Sequence, residues 1–192
     1  DQSPLAEAER FGGPVGDVVE PDQLERRVAQ LALVGSGTRH AEEVAPQTAT
    51  AVFDTGVALW QRIDRLGFEG IFFSEHHFGG SFSASPNLLI AAVAQRTRKL
   101  RLGVMGVVLP YYHPARVVEE IGLLDLLTGG RLEVGTAVGV PQELARLGMT
   151  MEEARERSDE IVDVIDAALA QRVVSHKGKY FSFSNLRLLP RT

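Results

Sequence analysis

Short apolar runs return along this chain at the spacing of a repeated strand–helix unit. G-I-F-F-S at Gly70–Ser74, the run Leu100–Leu109 and the run Leu132–Val138 begin about 30 residues apart, the length of one βα unit. None of them alternates cleanly between apolar and polar, so each reads as a strand covered on both faces, which favours a parallel sheet clad in helices. An earlier run, Val28–Val34, ends at Gly35-Ser36-Gly37 and reads as a fourth such strand.

The segments between the runs carry helix signals. In Thr48–Leu66 the apolar residues Phe53, Val57, Trp60 and Ile63 recur every three or four positions, and Gly67 stands where a helix would stop. Ser85-Pro86 should open a helix over 87–97, with Ser as cap and Pro in the first turn. That helix is apolar on almost every side and needs cover on more than one face. His113-Pro114 opens another, running to Leu127 and closed by Gly129-Gly130. Thr150 and Glu153 form a capping box for a helix to Ala170. The tail Gly178–Leu189 alternates aromatic and polar residues and reads as an extended segment or hairpin. Residues 1–26 are rich in Gly, Pro and acid and read as an extension or loop, leaving 27–192 as the structured domain.

Composition narrows the function. The formal net charge is -5, which excludes the basic footprint of a nucleic-acid binder. No apolar run is long enough to span a bilayer. The chain has no cysteine, which removes disulfides, thiolate nucleophiles and iron–sulfur ligation. With no visible signal peptide, a cytoplasmic location is the expectation.

In parallel βα arrays the chemistry gathers at the C-terminal ends of the strands. Here those ends carry Glu75-His76-His77, then Tyr111-Tyr112-His113, then Val138-Gly139. Histidine exchanges a proton near neutral pH, which suits acid–base work. Neighbouring His76 and His77 point opposite ways on extended backbone, so one faces the mouth and the other is structural. Glu75 could equally serve backbone N–H groups, and His113 could serve only its helix start. Glu75, His77 and His113 could also hold a metal, whereas His76 and His77, pointing opposite ways, are poor joint ligands.

Taken together, G-F-E-G-I-F-F-S-E-H-H-F, S-P-N-L-L-I-A-A-V-A-Q-R-T, L-R-L-G-V-M-G-V-V-L-P-Y-Y-H-P-A-R-V-V-E-E and L-D-L-L-T-G-G-R-L-E-V-G closely resemble the bacterial luciferase-like, flavin-dependent monooxygenases, from about Val57 to Pro190. The resemblance implies an α/β fold, part of a (β/α)8 TIM barrel with about four parallel βα units. A complete barrel typically takes ~250 residues, and this chain has 192. It also implies reduced FMN, or in one branch a deazaflavin, bound in the barrel mouth. The FMN branch uses O₂ on an aldehyde or another small organic substrate, with a separate flavin reductase.

Carried over by position, His76 is the catalytic histidine and Glu75 the carboxylate near the flavin. Met105-Gly106 marks the place of a non-prolyl cis peptide beneath the ring. Val138 and Gly139 lie where the FMN branch commonly has Arg-Gly at the flavin phosphate. His77, Tyr112 and His113 are candidates for the substrate pocket. Helices 87–97 and 115–127 are the expected homodimer surface. The alternatives are a deazaflavin-dependent oxidoreductase and a non-catalytic half-barrel that binds flavin weakly or not at all.

Overall fold

The structure is a computed structural model, and it describes residues 29–30, 46–79 and 83–190. Four strands form one parallel sheet in the order β1 (Ala29–Gln30), β2 (Gly70–Phe73), β3 (Arg101–Val108) and β4 (Leu132–Ala137). Ile71 stands opposite Ala29 and Leu102, and Leu102 opposite Leu132, so the strands follow one another in chain order. The rest of the expected first strand, and the expected extension 1–26, lie outside the described residues.

Helices α1 (Pro46–Leu66), α2 (Pro86–Ala94), α3 (Pro114–Thr128), α4 (Pro141–Arg146) and α5 (Met151–Ala170) alternate with the strands. Their ends are chemically marked. After α1, Gly67 takes a left-handed φ of 81°, and Gly67 and Phe68 return N–H bonds to Asp64 and Ile63. After α3, Gly129 and Gly130 do the same to Leu126 and Asp125. Both are Schellman closures, which satisfy carbonyls the helix leaves unpaired. Thr150 Oγ1 accepts the Glu153 N–H at 3.1 Å, which caps α5.

Several boundaries differ from the sequence reading. α1 begins at Pro46 instead of Thr48, and α2 ends at Ala94 instead of Thr97. The Thr97 hydroxyl donates back to the Val93 carbonyl, so the chain turns off there. The Ser85 side chain makes no cap bond; only its carbonyl receives the Leu88 N–H. β3 stops at Val108 and tightens into a 3₁₀ turn, Leu109–Tyr111. α4 was not foreseen. The tail is an antiparallel hairpin of β5 (Val174–Lys177) and β6 (Ser182–Leu186), so it begins four residues before the expected Gly178.

The core lies between the sheet and the helices. Ile71, Phe73, Leu102 and Val104 point into it with Ile90, Val93, Leu100 and Ile161. Trp60 of α1 is 1% exposed and meets Phe73 edge-on at 5.0 Å between ring centroids. The opposite sheet face carries Phe72, Gly103 and Glu133. A Cβ on Gly103 would stand 2.5 Å from the Phe72 ring, so only glycine lets that ring lie flat across β3. α2 is not covered all round: Pro86, Ile90, Val93 and Ala94 are buried, but Leu88 is 72% exposed.

Candidate active site

β2, β3 and β4 run parallel, so their C-terminal ends share one rim. The loop after β2 is pinned where the Ser83 hydroxyl donates to the Ser74 carbonyl and the His76 N–H donates to the Ser83 carbonyl. Along that extended stretch the side chains alternate. Glu75 and His77 turn inwards, whereas the His76 side chain is 50% exposed. Of the two histidines, His76 is the more exposed and His77 is the one turned onto Glu75.

Glu75 is enclosed. Its Oε1 accepts from His77 Nε2 at 2.7 Å and from the Tyr112 hydroxyl at 2.5 Å, and its Oε2 accepts the Val108 N–H at 2.9 Å. A buried carboxylate needs such partners, and here all three come from the rim itself. One group thus ties the β2 loop to the end of β3. Burial, followed by the hydrogen bond and charge of Glu75, pushes the Tyr112 phenol well above the usual tyrosine range. Tyr112 is therefore held as a donor.

A second layer lies above this one. The Tyr111 ring stands edge-on to His77 at 5.0 Å between centroids. Its hydroxyl is buried and makes no hydrogen bond among the described residues. Burial, then the charges of Glu143 and Glu75, raise its pKa. α4 closes this layer: Glu143 Oε1 lies 3.3 Å from His76 Nδ1, and Arg146 Nη1 donates to the Phe78 carbonyl at 2.5 Å. Leu144, fully buried, anchors that short helix.

Met105-Gly106 is a cis peptide, as the resemblance implied. A Cβ on Gly106 would stand 2.6 Å from the Thr136 backbone, so β3 and β4 approach there more closely than any side chain would permit. Met105 is 55% exposed on the sheet face opposite Leu102 and Val104. Gly139 turns at a φ of 97°, and a Cβ on it would meet Val108 at 2.9 Å and the Tyr111 hydroxyl at 3.5 Å. Val138 sits beside it and brings no cation.

His76, His77, Glu75, Tyr112, Met105, Gly106, Val138 and Gly139 thus all belong to the strand-end region. His113 does not join them. Its Nδ1 accepts the Ala115 N–H at 3.3 Å at the start of α3, and its ring packs on Phe181 and Phe183 of the tail. Tyr111, Glu143 and Arg146 were missed by sequence reasoning. For Tyr111 a signal existed, since it precedes Tyr112 in the strand-end run.

The bare backbone strip at Gly106 fits the flat ring of a flavin. The same residues offer a phosphate little, because Val138 stands where a cation would be useful.

Comparisons with known proteins bear on the family and the fold. The luciferase-like monooxygenase family model matches residues 33–192. Limonene 1,2-monooxygenase of Rhodococcus erythropolis is 36% identical over 140 residues, covering 72% of this chain and 36% of its own length. The oxygenase component of the flavin-dependent trigonelline monooxygenase of Acinetobacter baylyi is 33% identical over 158 residues, covering 79% of this chain and 43% of its own. Among solved structures, the oxygenating constituent of 3,6-diketocamphane monooxygenase from Pseudomonas putida, in complex with FMN, superposes with a TM-score of 0.71 at 22% identity. That match covers 85% of this chain and 47% of the other. The chain therefore spans less than half the length of each of these relatives.

Proposed function

The chain belongs to the luciferase-like monooxygenase family, and on that premise we propose that it supplies the proton-handling rim of a flavin monooxygenase. The proposed reaction uses reduced FMN and O₂ on an aldehyde or another small organic substrate. The observation that carries this reading is the half-exposed imidazole of His76, on the same rim as the glycine-lined strip at Met105-Gly106.

Reduced FMN, when bound, supplies the electrons that activate O₂. The protein's own tasks are to bind, orient and move protons. Met105 and Gly106 present backbone to the ring. Val138 and Gly139 line the phosphate side. His76 takes and returns protons at the reacting face. Glu75 works from beneath, holding His77 and Tyr112 in place as the wall of the substrate pocket.

A separate reductase would deliver the reduced flavin, as the name of the Acinetobacter relative, an oxygenase component, implies for that protein. Among the described residues no helix is long and apolar enough to cross a membrane, and the proposed setting is the cytoplasm. Leu88 of α2 and Leu123, Leu126 and Leu127 of α3 are exposed, which fits a homodimer through these two helices.

The test combines the protein with an NADH-driven FMN reductase, O₂ and a long-chain aldehyde. The expected result is FMN-dependent conversion of the aldehyde to the acid, above the reductase-only rate. No conversion, together with no fluorescence change when FMN is titrated in, would overturn the reading. Hydride transfer from a reduced deazaflavin without O₂ demand would replace it.

A further inference from the structure

His76 is useful as a proton carrier only if the right ring nitrogen is free. Neutral imidazole carries one N–H, and the hydrogen bond made by one nitrogen decides which atom has it. The group facing His76 Nδ1 is the Glu143 carboxylate, at 3.3 Å. An ionised carboxylate accepts only. Nδ1 must then hold the hydrogen, which leaves the Nε2 lone pair open at the rim.

Glu143 is well placed to impose this. Its side chain is 12% exposed against 50% for His76, so the carboxylate is the fixed partner and the imidazole the presented one. The helix bearing it is held at two further points: Leu144 is fully buried beneath it, and Arg146 donates to the carbonyl of Phe78, two residues beyond His76. Glu143 and His76 lie 67 positions apart in sequence, so α4 reaches across the rim to this histidine. The other polar and charged groups around the pair are Arg146 on the same helix, Tyr111 on the turn after β3, and Glu75 and His77 on the loop of His76 itself. Glu75 and His77 are already bonded to each other at 2.7 Å, so Glu143 is the carboxylate that pairs with His76.

We propose that Glu143 is the positioning residue of the site, fixing His76 as the Nδ1–H tautomer so that Nε2 accepts the proton. This rests on the functional reading above, and it adds a residue that the motif at the β2 end does not contain.

The test separates the two claims. Nitrogen-15 shifts of the neutral His76 ring, recorded on the protein without flavin, report the tautomer directly. The wild type should show Nδ1–H as the main form. Glu143→Gln keeps the shape but carries an amide that serves either tautomer, so Nδ1–H should cease to dominate, as it should in Glu143→Ala. In the aldehyde assay both variants should lose about tenfold in kcat, with the FMN dissociation constant within twofold of wild type. A wild-type ring that is mainly Nε2–H, or a bias unchanged in both variants, overturns the proposal. The expected tautomer shift with no turnover in any form would support the pairing and overturn the flavin reading instead.

Discussion

The two ends of the sheet use their charged side chains in opposite ways. At the N-terminal end Asp64 spends its carboxylate on the backbone, accepting the N–H groups of Arg98, Lys99 and Leu100 at 3.0, 2.8 and 2.7 Å. Arg131 does likewise with carbonyls, donating to Thr128 and Leu100 at 2.7 Å each and to Ala94 and Thr97 at longer range. At the C-terminal end Glu75 takes one backbone donor and gives the rest of its capacity to His77 and Tyr112, while Glu143 faces His76. Backbone-bound charges fix the chain where it turns. Charges bound to side chains fix the direction of His77, Tyr112 and His76. On the proposed function, the lower end serves stability and the upper end chemistry.

The sharpest way to break this contrast is at Arg131. Arg131→Ala strands several carbonyls at once and should cost about 3 kcal/mol in urea unfolding. FMN affinity of the protein that remains folded should be unchanged. A loss of flavin binding at full folding would mean that the two ends are not separate.

Asp64→Asn should cost about 1–3 kcal/mol at neutral pH. Burial pulls the Asp64 pKa up, but the three backbone donors and Arg131 outweigh it and the net shift is downwards from 3.8. A lowered folded-state value means the stabilisation is present above the ordinary aspartate pKa and is lost as pH falls through the lowered one. The gap between wild type and Asp64→Asn should therefore narrow below about pH 4, which unfolding curves across pH 3 to 7 will show.

Glu75→Gln tests the upper end. The amide can still accept the Val108 N–H through its oxygen, but its NH₂ then faces two donors, so a loss of about 1–2 kcal/mol is expected. The Tyr112 phenol should titrate closer to the ordinary tyrosine range, which ultraviolet difference titration reads. An unmoved tyrosine titration would leave burial alone as the cause of the raised Tyr112 pKa.

A smaller effect is expected from His113→Asn. Asparagine is a good N-cap, so a change within about 0.5 kcal/mol and unaltered turnover are expected if His113 serves only α3 and the tail.

Much of this contrast could be read from the chain. Strand order followed from apolar runs at βα spacing, although the expected cover on both faces is not met among the described residues, where Met105 and Val134 stand exposed. Gly67 and Gly129-Gly130 marked helix ends, because left-handed closures select glycine. The opposite directions of His76 and His77 followed from strand geometry. What stayed hidden was long-range or short. α4 has six residues and one fully buried anchor, Leu144, too few for a period to show. The partners of Asp64 and most of those of Arg131 are backbone atoms more than thirty positions away, which no side-chain pattern records. The pairing of Glu143 with His76 depends on where α4 lands, and Glu143 looked like any surface acid. The hairpin began earlier than expected because Ser175-His176-Lys177 carries no apolar run.

The most direct measurement is aldehyde turnover by His76→Ala at FMN concentrations that give equal occupancy to wild type. The account predicts a rate at least tenfold lower, with the FMN dissociation constant within twofold and the melting temperature essentially unmoved, since the His76 side chain is half exposed. A variant that oxidises the aldehyde as fast as wild type would contradict the assignment of the exposed imidazole, and with it the claim that the upper rim is where the chemistry happens.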